Sequence, residues 1–219
     1  MSKFIDLSHT IEDGMITYKG LPAPIICDYL SREKSRDFYE AGTEFQIGKL
    51  EMVTNTGTYL DCPFHRYADG HDLSQIQPEQ FADLPGLVIH HDLSQGLAVD
   101  VDAFRQHEVR GRAVLVHTDW AKYWRTDQYF EDHPFLTANA AAYLVEQGAT
   151  LVGIDSHNID DTHGRTRPVH TTLLGANILI VEHLCNLHSL PDRGFTFSAI
   201  PPKVQGAGTF PVRALAKLQ

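Results

Sequence analysis

Residues 54–70, TNTGTYLDCPFHRYADG, constrain the fold of this chain more than any other stretch. A glycine at Gly57 and a proline at Pro63 rule out a helix interior, so the segment reads as a stiff loop or the end of a strand. Asp61 and His65 stand four residues apart on either side of Pro63, just after Gly57 and Thr58. A carboxylate and an imidazole held in fixed relation on a stiff support suit metal-assisted or acid–base chemistry.

The rest of the chain supplies the setting. With 219 residues it is long enough for one large domain, 1–219, with its own core. A hydrophobic fraction of 42% and a charged fraction of 21% are those of a globular protein rather than a disordered one. The net charge of -10 argues against nucleic acid or an anionic membrane as partner. No apolar run approaches a membrane span, and the first residues lack a signal-peptide core, so a cytoplasmic location is expected. Cys27, Cys62 and Cys185 are odd in number and widely spaced, which reads as reduced thiols.

Periodicity predicts strands over 4–11, 48–54, 86–91, 113–118, 150–155 and 177–181. A turn is expected at Asp13 and Gly14. Short helices are expected over 78–84, ended by Pro85 and Gly86, and over 101–107. The clearest helix runs over 137–147, capped by Thr137, with Tyr143 and Leu144 inward and Gly148 at its end. Strands outnumber helices, with no regular βαβ period and no glycine-rich phosphate loop. That predicts a mixed α/β layer fold rather than a Rossmann sheet.

Residues 55–65 resemble the signature HxGTHxDxPxH of the cyclase family, the kynurenine formamidase- and isatin hydrolase-like metal-dependent hydrolases. Gly57, Thr58, Asp61, Pro63 and His65 match it; Asn55 and Tyr59 stand where the family has histidine. Four further segments resemble family motifs in the right order: Asp6 to Thr10, Leu115 to Trp120, Gly153 to Asp155 followed by Asp160, and His170 to Leu174 with Val181 to Leu187. The resemblance implies a swivelling β/β/α architecture, a homodimer or larger assembly, and hydrolysis of a small-molecule amide such as N-formylkynurenine in tryptophan breakdown. It implies Asp61, His170 and Glu182 as ligands of a divalent metal, zinc or manganese, and His65 as the acid–base group.

The two departures reduce the metal expectation. An asparagine carbonyl is a weak ligand, and a phenol rarely binds zinc unless ionised. Asp61, His170 and Glu182 still make the ligand count of a catalytic site with one position open, so one ion is expected before two. The alternative is a metal-free lyase, cyclase or dehydratase in which Asp61 orients His65 and Tyr59 donates to an oxyanion. A catalytically silent small-molecule binding protein is the third reading. His157 and His163 are candidate substitutes for the missing imidazoles. Glu182 ends the apolar run 178–181, and a buried carboxylate needs a partner. His183 would point to the opposite face of a strand and is left out. Cys62 reads as a small packed residue. Tyr18, Phe38, Tyr39, Phe45, Trp120 and Trp124 are candidates to line an apolar substrate pocket.

Overall fold

The computed structural model describes residues 3–218. Thirteen strands follow one another as β1 (Phe4–Asp6), β2 (Ile25–Leu30), β3 (Ile47–Glu51), β4 (Tyr59–Asp61), β5 (Leu84–His90), β6 (Ala98–Val99), β7 (Ala113–His117), β8 (Phe135–Leu136), β9 (Leu151–Ile154), β10 (Leu179–Glu182), β11 (Phe195–Ile200), β12 (Thr209–Pro211) and β13 (Arg213–Leu218). The α-helices are α1 (Arg32–Ser35), α2 (Ala138–Gln147) and α3 (Pro168–Gly175). Nine strands form one curled sheet in the order β1-β13-β11-β5-β7-β9-β10-β4-β12. Its centre, β5 to β10, is parallel, and both flanks are antiparallel.

Strand alternation divides the core in two. Leu87, Ile89, Val114, Val116, Val152, Ile154 and Ile180 face α2 and α3 and pack with Leu144, Val169 and Leu173. Their neighbours Val88, Leu115, Val181 and Leu60 face the other way, onto Phe195, Phe197, Ala214 and Ala216 of the folded-over flank. The result is a helical layer on two β layers, the expected β/β/α arrangement. Thr137 caps α2 by accepting from Ala140 N–H at 3.1 Å, and Gly148 closes it. Among the described residues no helix is long and apolar enough to cross a membrane.

Several sequence expectations change: the strand expected over 4–11 stops at Asp6, and the helix expected over 101–107 is only a 3₁₀ turn, Val101–Ala103. The segment after Pro78 is only a 3₁₀ turn, Pro78–Gln80, and Pro85 with Gly86 lies inside β5 rather than ending a helix. Pro85 pairs there with Thr196, and Gly86 leaves room for the Phe195 ring, which a Cβ would meet at 2.0 Å. The strand at 48–54 stops at Glu51 and pairs with β2, away from the main sheet. Every residue of that ribbon except Leu30 is exposed, including Tyr29 at 77%. Phe38, Tyr39 and Phe45, expected near a substrate, lie exposed in the segment joining its strands, while Trp120 is buried elsewhere.

Candidate active site

β4 and its neighbours build the floor of the site. Residues two apart on a strand share a face, as do residues directly opposed across an antiparallel pair. Tyr59 and Asp61 therefore share a face; Tyr59 stands opposite Glu182 of β10, and Asp61 opposite Thr209 of β12. That register creates two contacts. The Tyr59 hydroxyl donates to Glu182 Oε2 at 2.6 Å, and the Thr209 hydroxyl donates to Asp61 Oδ1 in a short bond. The other Glu182 oxygen, Oε1, accepts from Ile159 N–H at 2.6 Å.

His170 enters from the first turn of α3. The buried Asp160 accepts from Val169 N–H at 2.7 Å, from His170 N–H at 3.0 Å and from His170 Nδ1 at 2.6 Å. One carboxylate thus caps the helix and fixes the ring. Because a carboxylate only accepts, Nδ1 carries the proton. Nε2 then faces the floor, 3.7 Å from both Asp61 Oδ2 and Glu182 Oε1.

His65 closes the 3₁₀ turn Pro63–His65, which Pro63 opens at a position where a missing N–H costs nothing. Gly208 lies against the turn's main chain; a Cβ there would stand 2.4 Å from His65 N, so only glycine permits this approach. His65 Nδ1 is 2.8 Å from Thr209 Oγ1. Thr209 has one hydroxyl proton and gives it to Asp61, so towards His65 it accepts. Nδ1 therefore holds the ring proton, and Nε2 keeps its lone pair for other chemistry.

The floor is short of positive charge. Asp61, Asp160 and Glu182 are all buried around the single His170 ring. Burial lowers the His170 imidazole, but Glu182, Asp160 and Asp61 outweigh it and carry it up to about 10. Burial raises the Glu182 carboxyl. Burial, then the charges of Glu182 and Asp61, push the Tyr59 phenol well above its usual value, so it stays protonated and donates. Asp61 Oδ2 is buried without a hydrogen-bond partner. Three buried acids, one imidazole and an unpartnered carboxylate oxygen suit one divalent cation. Asp61, His65 and His170 offer ligand atoms within 4.8 Å of one another, with Glu182 alongside. Beside Glu182 Oε2 the chain offers the Tyr59 hydroxyl and Asn55, neither a good ligand for a divalent ion, so the residues present suit one ion better than two.

The remaining candidates lie elsewhere. His157 is buried among Tyr18, Tyr129, Phe130, His133 and His183. His163 is exposed and paired with Asp161 and Asp132. Cys62 is fully buried, and its thiol is pushed up to about 11 by burial, which suits packing rather than nucleophilic attack. Of the six aromatic candidates only Tyr18 lines the cleft, which measures about 830 Å³ and opens above the floor. Thr209 and the clamping role of Asp160 are absent from the sequence reading. Thr209 follows Gly206, Ala207 and Gly208, a small-residue stretch with no chemical signal; only the β12 register reveals it.

Comparison with known proteins places this geometry in context. The Putative cyclase family model matches residues 5–161. Kynurenine formamidase of Bacillus cereus is 26% identical over 216 residues, covering 99% of this chain and 98% of the relative. That of Geobacillus thermodenitrificans is 28% identical over 98% and 97% of the two chains. The fold is similar to that of isatin hydrolase A from Ralstonia solanacearum, with a TM-score of 0.82 at 24% identity, covering 100% of this chain and 92% of that one. It is also similar to a predicted metal-dependent hydrolase from Bacillus stearothermophilus, with a TM-score of 0.76 at 24% identity over 100% of both. With the family model spanning most of its length, this chain belongs to the cyclase family.

Proposed function

We propose that the protein hydrolyses a non-peptide C–N bond, a formamide, lactam or related amide, in a small molecule. The observation that carries this reading is the convergence of Asp61, His65, His170 and Glu182 at the floor of one cleft. The full-length similarity to kynurenine formamidases supports the same bond type.

Asp61, His170 and Glu182 would hold one divalent ion, zinc or manganese. When bound, such an ion supplies Lewis acidity at a carbonyl and a lower pKa for water. His65 Nε2 takes a proton from the water that attacks the carbonyl carbon. It returns that proton to the leaving nitrogen as the C–N bond breaks. Thr209 keeps the ring in the tautomer this requires and ties it to Asp61. Asp160 does the same for His170. Tyr59 positions Glu182, and its committed proton counts against the metal-free alternative in which it acts as the acid. The exposed apolar ribbon β2–β3 supports assembly into a homodimer or larger oligomer. Three free thiols suit the cytoplasm.

The test is turnover of N-formylkynurenine, formanilide and isatin by metal-replete protein, repeated after chelation. Hydrolysis of at least one, lost on chelation and restored by zinc or manganese, is expected. No turnover of any of them overturns the hydrolase reading; turnover indifferent to chelation restores the metal-free one.

A further inference from the structure

The cleft has a polarity that the hydrolytic machinery does not use. Its floor is acidic, but its lining also includes Lys19, Arg66, Arg165 and Arg167, and Glu182 is the one carboxylate among its lining residues. This gathering of cations stands out in a chain with 28 acidic and 18 basic residues and a net charge of -10.

Two of the four cations are already engaged. Lys19 is answered by Asp127 at 3.5 Å and Glu131 at 3.3 Å. Arg167 Nη1 donates to the carbonyls of Asp161, Gly164 and Thr166 and ties down the loop ahead of α3. The other two are not. Arg66 gives only Nε to Thr171 Oγ1, at 3.1 Å, and rests its guanidinium 5.6 Å from the Tyr67 ring centre. That contact steadies the side chain and leaves the terminal nitrogens unused. Arg165 makes no ion pair and no side-chain hydrogen bond among the described residues. No carboxylate lies within 4.0 Å of either guanidinium among those residues; elsewhere on the surface Arg36, Arg105, Arg125 and Arg213 have one while Arg32, Arg110 and Arg193 do not, so what sets Arg66 and Arg165 apart is that both line the cleft.

Unpaired arginines at the mouth of a concave site focus a positive potential, and their planar forks match an oxyanion in bidentate fashion. We propose that the substrate carries an oxyanionic group, a carboxylate or a phosphate, held by Arg66 and Arg165 at the cleft mouth while its amide reaches the floor. This rests on the hydrolase reading for the amide and on the arginines alone for the anion. It excludes a wholly neutral lactam as the best substrate.

Binding and turnover separate the two parts. Calorimetry would compare 2-aminobenzoate and phenyl phosphate with the uncharged methyl 2-aminobenzoate, in the parent and in the double variant Arg66→Gln with Arg165→Gln. At least one anion should bind the parent about tenfold more tightly than the ester, as charge-assisted hydrogen bonds allow. That margin should shrink in high salt and vanish in the variant. The better-bound anion identifies the group as carboxylate or phosphate. An ester that binds as well as both anions overturns the inference. So does a margin that survives the arginine replacements, since the anion would then be bound at the floor. Turnover of N-formylkynurenine, formanilide and isatin is followed in parallel: no turnover of any of them, with the arginine-dependent margin intact, sinks the hydrolase reading and leaves the anion site standing.

Discussion

Two groups of histidines lie back to back in this molecule and behave in opposite ways. In the cleft, His65 and His170 each have a carboxylate or a carboxylate-bound hydroxyl on one ring nitrogen. The acids around His170 overcome its burial and raise it to about 10. Behind the floor, His9, His157 and His183 sit among Trp124, Tyr129 and Phe130 with no acid partner. Burial lowers His9 to about 4 and His157 to about 3, and drives His183 well below its usual value. One ring nitrogen of each, His9 Nε2, His157 Nδ1 and His183 Nε2, is buried without a partner. The same side chain is thus a proton carrier in one region and a neutral packing element in the other. The neighbouring carboxylates decide which.

The contrast can be broken most sharply at His65. His65→Ala should lower turnover by about 10²–10⁴-fold, the usual contribution of a placed acid–base group, with the ion retained. Elemental analysis of the variant decides the role. Activity within a few-fold of the parent removes His65 from the mechanism, and loss of the ion along with activity makes it a ligand.

Next in size is Glu182→Gln, which keeps the shape but removes a charge and leaves one oxygen to accept from Ile159 N–H, so that the Tyr59 hydroxyl must turn to accept from the amide nitrogen. Metal retention should fall by more than about tenfold, as happens even when a supporting residue of a metal site is lost. Unchanged metal content by titration would shift the site onto Asp61, His65 and His170 alone.

The smallest effect at neutral pH belongs to the second group. A histidine held neutral by burial has its folded pKa below its unfolded one. Its contribution is therefore complete above about pH 6.5 and is lost as pH falls towards the folded value. For His9 the window runs from the ordinary 6.5 down to about 4. Within it, stability should fall by about 1.4 kcal/mol per pH unit for each such histidine. His9→Phe keeps the stack on Trp124, whose ring centre is 3.9 Å away, and removes the titration. Denaturant melts from pH 7 to pH 4 should show a shallower loss in this variant. An unchanged slope would mean that the second group is not electrostatically silent.

Much of this was legible in the sequence, for identifiable reasons. The buried parallel strands announced themselves as apolar runs, and α2 by its cap and alanines. The stiff loop carrying Asp61 and His65 was set by Gly57 and Pro63, and the resemblance pointed to His170 and Glu182. The C-terminal strands β11 to β13 lie outside the strands that periodicity predicts, although β11 and β13 build one flank with β1 and β12 forms the opposite edge. Thr209 was invisible because its role depends on standing opposite Asp61 across a pair separated by most of the chain. Tyr59 could be seen as a departure, but not that its hydroxyl would hold Glu182. Cross-strand register is long-range information, and local pattern does not carry it. The aromatics of 38–45 misled for a related reason: apolar character alone does not distinguish a pocket wall from an outward face.

The ribbon β2–β3 has a consequence for how the protein opens. A two-stranded sheet that buries neither face has little beyond its own ladder to hold it shut. Its amides should therefore exchange with solvent through local opening, at far lower free energy than those of β7 or β9, whose apolar side chains are fully buried. Exchange measured on the whole chain would then report two separate processes. The slow central strands would follow global unfolding, and the fast ribbon would follow whatever covers its apolar surface.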